Sequence, residues 1–180
     1  MINPWRDLPA GRHPPDQVTV VVEIPMRSRN KYELDKDSGL LRLDRVLYSA
    51  VFYPGDYGFV PRTLYLDGDP LDVLVYLNEP TFPGCLIDVR PIGVLRMVDK
   101  DEPDDKVLAV PAADPFHREI FDIADVPPHY LREVEHFFLV YKDLEGKRTE
   151  IAGWEKSEAA MRVIADAVRR YEETYLSVGP

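Results

Sequence analysis

Asp67-Gly68-Asp69-Pro70-Leu71-Asp72 places three carboxylates within six residues, between the apolar stretches Leu64-Tyr65-Leu66 and Val73-Leu74-Val75. Like charges this close repel, so something positive must offset them. Carboxylate oxygens are the ligands that hard divalent cations such as Mg²⁺ take. In an extended stretch residues two apart point to one side, so Asp67 and Asp69 would share a face. Gly68 would let the backbone approach a ligand, and Pro70 would fix the turn before Asp72. A second acidic group, Asp99, Asp101, Glu102, Asp104 and Asp105, gains meaning only if the fold brings it beside the first.

The basic and aromatic residues extend this pattern. Lys31, Arg45, Lys106 and Lys142 are scattered along the sequence. If they converge opposite the carboxylates, the result is metal on one side and fixed cations on the other, which is the electrostatics a polyphosphate requires. Phe52-Tyr53-Pro54-Gly55-Asp56-Tyr57-Gly58-Phe59 is dense in aromatics and glycine. It reads either as an aromatic turn on the core or as a source of Tyr53 or Tyr57 hydroxyls for the site. His13, His117, His129 and His136 read as structural or surface residues.

Other chemistries fail on spacing. A calcium loop starting at Asp67 would need Gly at its sixth position and Glu at its twelfth, where Asp72 and Asn78 stand. There is no H-E-x-x-H, no paired-cysteine zinc spacing and no phosphate-binding loop. The single Cys85 follows Pro83-Gly84 in an apolar run and is expected to be a buried bystander. One cysteine makes no internal disulfide, which fits a reducing cytoplasm.

The elements that must position these groups are many short strands and few helices. Of 180 residues, 45% are hydrophobic and 30% charged, so a single globular domain with a real core is expected. Seventeen prolines against ten glycines favour turns over a helical bundle. Residues 1–17 carry Pro4, Pro9, Pro14 and Pro15 and read as an extended arm without a ligand cluster, dispensable for chemistry. Their polar, Pro-rich character is not that of a secretory signal. Val18 to Ile24 is a β-branched, apolar run and predicts a buried strand. Lys31 to Asp35 and Leu40 to Leu47, around Asp37-Ser38-Gly39, predict a hairpin. Leu71 to Leu77, Cys85 to Val98 and Lys106 to Val110 predict further strands. Pro127-Pro128 opens a helix carrying Leu131, Val134, Phe138 and Tyr141, with Gly146 as its stop. Ser157 is expected to N-cap a second helix whose apolar face is Met161, Ile164, Val168, Tyr171 and Tyr175. Strands followed by two helices, with no βαβ alternation, give an α+β fold, a small closed barrel with flanking helices.

Charge excludes whole classes of partner. Lys and Arg number 22 against 32 Asp and Glu, a net charge of −10. A chain this acidic is repelled by nucleic acid and by anionic membranes. No apolar stretch approaches the ~20 residues of a membrane span. A nucleic-acid-binding barrel would need a basic, aromatic face, and a hydrolase of nucleotide diphosphate linkages would need a base pocket; the sequence displays neither.

The acidic segment matches the D-x-D-P-x-D signature of the soluble inorganic pyrophosphatases of the first family, of the short bacterial type, which the chain resembles. Further matches follow in order: Val22-Glu23-Ile24-Pro25, Asn30-Lys31-Tyr32-Glu33, Leu43-Asp44-Arg45, Phe52-Tyr53-Pro54 with Tyr57-Gly58, Gly93-Val94-Leu95 with Met97 and Asp99, Asp104-x-Lys106, and His136-Phe137-Phe138 with Tyr141-Lys142-Asp143. The resemblance runs from about Val18 to the C-terminal helix and leaves out the arm. It implies an OB-like five-stranded barrel with helices outside, in one catalytic domain over 18–180. It implies Mg²⁺-dependent hydrolysis of diphosphate to two orthophosphates, several ions per site, in the cytoplasm, by a homo-oligomer that is a hexamer. By resemblance Asp67, Asp72 and Asp104 would hold the first metal, and Asp72 would bridge to the second. Asp99 and Asp104 would hold a metal arriving with substrate, and Glu33 would help bind a fourth. Asp69 would be the general base. Lys31, Arg45, Tyr57, Tyr141 and Lys142 would contact the phosphates, with Lys106, Glu23 and Tyr53 nearby. Lys100, where an acidic residue is common, and Pro103 depart from the family pattern. Tyr141 and Lys142 lie toward a helix C-terminus, whose dipole disfavours an anion, so their contacts must come from side chains.

Overall fold

The computed structural model describes residues 2–99 and 101–176; the departure at Lys100 lies outside them. A four-residue helix α1 (Pro4–Asp7) precedes the strands β1 (Val18–Ile24), β2 (Asn30–Leu34), β3 (Leu41–Val46), β4 (Asp56–Phe59), β5 (Asp72–Val75), β6 (Leu86–Asp99), β7 (Glu102–Pro103) and β8 (Lys106–Pro111). Helix α2 (Pro128–Val140), strand β9 (Thr149–Lys156) and helix α3 (Ser157–Tyr171) follow.

Five strands close a ring. β1 pairs with β4, β4 with β5, β5 with β8, β8 with β6, and β6 returns to β1. The β5–β8 pair is parallel and the others are antiparallel. The 14-residue β6 makes closure feasible, because its first half pairs with β1 and its length also takes β7, β8 and β9. β2 and β3 form a separate hairpin. The α+β reading, with a small closed five-strand sheet and two C-terminal helices, describes this architecture.

The interior of the ring is aliphatic. Val18, Val20, Val73, Val75, Val94, Val107 and Ala109 meet Ala160, Ile164 and Ala167 of α3 in one cluster. α2 covers the other side with Val134, Phe137 and Phe138 against Ile24, Leu74, Leu95 and Leu108. β1 is buried at nearly every position, as a continuous apolar run requires when both faces are covered.

Several expectations need correction. The aromatic segment supplies strand β4 rather than a turn. α2 ends at Val140, with Tyr141 as C-cap, and Gly146 closes a separate 3₁₀ turn over Asp143–Glu145. Ser157 is the first residue of α3 and not its N-cap; its N–H and Oγ–H both donate to Asp122 Oδ2 at 3.1 Å. That carboxylate puts a negative charge at the positive end of the helix. The buried face of α3 is Ala160, Val163, Ile164, Ala167 and Tyr171, while Tyr175 is exposed. Cys85 is half-buried. The arm also contributes to the core, since Trp5 is only 2% exposed and packs with Val21, Phe59, Leu64 and Tyr171.

Gly58 sits where β4 crosses β1, and a Cβ there would lie 1.9 Å from the Val21 carbonyl oxygen. The strands must separate to admit it, so Gly58→Ala should destabilise the fold by about 2 kcal/mol or more. A lower urea midpoint is the expected result; an unchanged midpoint would mean that β1 and β4 part at no cost.

Candidate active site

One cavity of about 390 Å³ opens at the end of the ring next to the β2–β3 hairpin. It is lined by Glu23 of β1, Lys31 and Glu33 of β2, Arg45 of β3, Tyr57 of β4, Asp67, Asp69 and Asp72 before and at the start of β5, Asp99 at the end of β6, Asp104 and Lys106 before and at the start of β8, and Tyr141 and Lys142 after α2. Of the site residues named by resemblance only Tyr53 lies outside this lining, and of the second acidic group Asp101 and Asp105 lie outside it too. Tyr53 is buried behind it, its ring 5.4 Å from Tyr57 and 4.7 Å from Phe137.

Strand register accounts for the arrangement. In the parallel β5–β8 pair Val73 stands opposite Val107, so the preceding Asp72 and Lys106 are neighbours at the strand starts. The Lys106 ammonium donates to Asp72 Oδ2 at 2.6 Å and also pairs with Asp104. Its side chain is almost fully enclosed, and its Nζ lies 5.8 Å from the centroid of the Tyr57 ring. Lys142 donates to Asp99 Oδ2 at 2.6 Å, and Lys31 pairs with Glu33. Arg45 pairs with Asp44 and donates through Nε to Glu145 Oε1 at 2.7 Å. Cations and carboxylates are therefore interleaved, not divided between two facing walls.

The acidic turn differs from the extended reading. Residues 66–69 form a turn stapled by Tyr65 N–H to Asp69 O at 2.7 Å and by Asp69 N–H to Asp67 Oδ1 at 3.0 Å. Gly68 has φ +84° with nothing within 4 Å of an added Cβ, so left-handed backbone rather than close approach calls for glycine. Asp69 faces Lys36, with which it pairs.

Burial and crowding shift the acids upward. Desolvation and the nearby Asp72 push the Glu23 carboxyl up to about 8, against the Leu34 N–H that donates to it at 2.7 Å. Asp104 is raised to about 6 by desolvation and by Asp72 and Asp67, although Lys106 opposes the shift. Burial also lifts Asp67 above the usual carboxylate range. The Tyr57 and Tyr141 hydroxyls are pushed well up by burial and by neighbouring carboxylates, so they are donors at neutral pH.

The donor set suits a hard cation. Among the described residues no three ligating side chains stand close enough to hold a metal as they are, because ammonium groups occupy the spaces between carboxylates. Asp99 Oδ1 is nonetheless buried without a hydrogen-bond partner in the cavity wall. All the acidic ligands are oxygen donors, the chemistry of Mg²⁺ sites. Sequence reasoning gave no site role to the lining residues Lys36, Lys147 and Tyr32, whereas Glu102 belongs to the second acidic group it noted. None of the three carries a local pattern: the β2–β3 hairpin brings in Tyr32 and Lys36, and the segment after α2 brings in Lys147.

The family described as inorganic pyrophosphatase matches residues 20–172. The chain is 55% identical to an inorganic pyrophosphatase of Geobacillus stearothermophilus over 87% of this chain and 94% of that one. It is 49% identical to one of Haloferax volcanii over 97% and 99% of the two chains. Among solved structures, the inorganic pyrophosphatase of Thermus thermophilus superposes with a TM-score of 0.92 at 45% identity, covering 95% of this chain and 99% of that one.

Glu23 makes a pH test available. Its carboxyl ionises near the usual 4.5 when unfolded and near 8 when folded, so between those values the folded protein binds the extra proton. Stability from this group is complete below about pH 4.5 and is lost as pH rises through 8, an effect on the order of a few kcal/mol. The unfolding free energy of the metal-free protein should therefore fall between pH 5 and 8, and Glu23→Gln should flatten that slope. Equal slopes for the two proteins would assign the dependence elsewhere.

Proposed function

The chain belongs to the inorganic pyrophosphatase family, and we propose that it hydrolyses diphosphate to two orthophosphates by Mg²⁺-dependent, in-line attack of water. The observation that supports this most is that carboxylates and cations from separate strands and turns line one cavity. The same reading takes 18–180 as the catalytic domain and the protein as cytoplasmic and hexameric. It has no nucleic-acid or membrane partner, in keeping with the net charge of −10 and the resemblance.

The family's metal is assigned by resemblance to Asp67, Asp72 and Asp104, with Asp72 shared with a second ion, Asp99 with Asp104 for a further ion, and Glu33 for a fourth. Bound Mg²⁺ would acidify water and offset phosphate charge. The rest falls to the chain's own side chains. Asp69, on the turn beside these ligands, takes the proton of the attacking water on its carboxylate. Lys31, Arg45 and Lys142 hold the phosphate oxygens, and the buried Tyr57 and Tyr141 hydroxyls donate to them; together they orient the phosphorus for attack and stabilise the leaving phosphate. Tyr141 and Lys142 follow the C-terminal end of α2, so they act as side-chain donors against the dipole. Lys106 bridges Asp72 and Asp104 and offsets their repulsion, Glu23 buttresses β2 through Leu34 N–H, and Tyr53 supports the Tyr57 ring from behind.

The direct test is phosphate release from diphosphate with and without Mg²⁺, with nucleoside triphosphates as competing substrates. Two phosphates per diphosphate, only with the metal and with nucleotides far slower, is the expected result. Undiminished release in chelator would reject the metal requirement. Faster release from nucleotides would point to the nucleotide hydrolase.

Asp69→Asn should lower the rate about 10²–10⁴-fold, the usual contribution of a general base. Mg²⁺ affinity by calorimetry should stay near wild type, since Asn keeps the size and one oxygen, and the residual rate should climb with pH. Metal binding that collapses in step with the rate would make Asp69 a ligand first.

A further inference from the structure

Lys36 has no part in the reaction as described, although its ammonium is the partner of the proposed base. It lies just after β2, in the turn of the β2–β3 hairpin. Its Nζ pairs with the Asp69 carboxylate and donates to the Gly68 carbonyl at 3.4 Å. One ammonium therefore holds both the side chain at 69 and the peptide before it.

The lysine is itself held. Its Nζ lies 5.3 Å from the centroid of the Trp5 ring, and its carbonyl accepts from Asn3 Nδ2 at 2.8 Å. Trp5 is anchored by Nε1–H to Thr63 O at 2.7 Å, by Arg62 N–H to its own carbonyl at 2.8 Å, and by its edge against Tyr171. Thr63 Oγ1 accepts from Leu71 N–H at 2.9 Å. The chain of contacts runs from Asn3 and Trp5 to Lys36 and to both stems of the acidic turn. Residues of the arm thus stand one contact from a side chain that lines the cavity, although the arm carries no ligand cluster of its own.

Stability does not explain the Lys36–Asp69 pair. The two side chains are 40% and 58% exposed, and exposed ion pairs contribute little to folding. What the pair fixes is direction, because a half-exposed aspartate on a turn otherwise samples several rotamers. We infer that Lys36 is a positioning residue that aims the Asp69 carboxylate into the cavity. This rests on the reading of Asp69 as the base.

Lys36→Met keeps the stem beside Trp5 and removes the charge. It should lower kcat about tenfold, within what a misplaced catalytic group costs, while KM, the Mg²⁺ requirement and the thermal midpoint hold. Lys36→Arg should restore most of the loss. In an Asp69→Asn background, Lys36→Met should change kcat by less than about twofold, because a residue acting through Asp69 is not additive with its loss. Additive losses, a raised KM at constant kcat, or wild-type kcat in Lys36→Met would each overturn the assignment while leaving Asp69 as the base. A near wild-type rate for Asp69→Asn alone would overturn both.

Discussion

Eight carboxylates line one cavity, and their mutual repulsion is the constraint that the rest of the site answers. Six cationic side chains line the same space. The most enclosed of them, Lys106, sits between Asp72 and Asp104. Burial alone would push its ammonium toward neutrality, yet the two carboxylates outweigh desolvation and hold it protonated. Asp104 remains elevated even with that partner. The ammonium therefore compensates the cluster only in part, and the remaining negative charge is what an added cation would stabilise.

The strand ring is the device that brings these charges to one end. Asp72 and Lys106 begin two parallel neighbours, Asp99 ends the long β6, and Tyr57 lies in β4 opposite Leu74 of β5. Closing the sheet through β1 and β6 leaves no freedom to relieve repulsion by moving one strand. Apolar clusters on both sides of the sheet hold the backbone in place. Dense packing of that kind transmits strain instead of relaxing it, so the charges must find partners within the cavity.

Much of this was legible in the sequence where the signal is local. Val18–Ile24 was readable to its ends because a strand covered on both faces is a continuous apolar run. The acidic cluster was visible by its spacing, but its turn conformation was not. β9 escaped because Thr149–Lys156 carries charges and a glycine and gains its identity only by pairing with β6. β4 was masked by aromatics and glycine that also suit a turn. Trp5 was hidden in a Pro-rich arm, since nothing nearby tells that its indole reaches Thr63, 58 residues away. Lys36 reads as an ordinary turn lysine until the hairpin folds onto Gly68-Asp69. The residues themselves were visible; the long-range contacts that give them work were not.

An acidic protein that binds an anion poses an apparent contradiction, and distance resolves it. A net charge of −10 is felt over a Debye length of about 8 Å at physiological ionic strength and is screened beyond it. Inside the cavity the field belongs to the nearest groups, where screening is weak and each ammonium acts over a few ångströms. There Lys31, Arg45, Lys106 and Lys142 converge with the carboxylates. The surface charge thus discourages large polyanions, which must approach with many phosphates at once. A small anion whose charge is offset by divalent cations would meet far less of that repulsion. The same interleaving of acids and bases that relieves repulsion sets both kinds of group side by side in one cavity, so any cation or phosphate that binds there must exchange partners with these ion pairs.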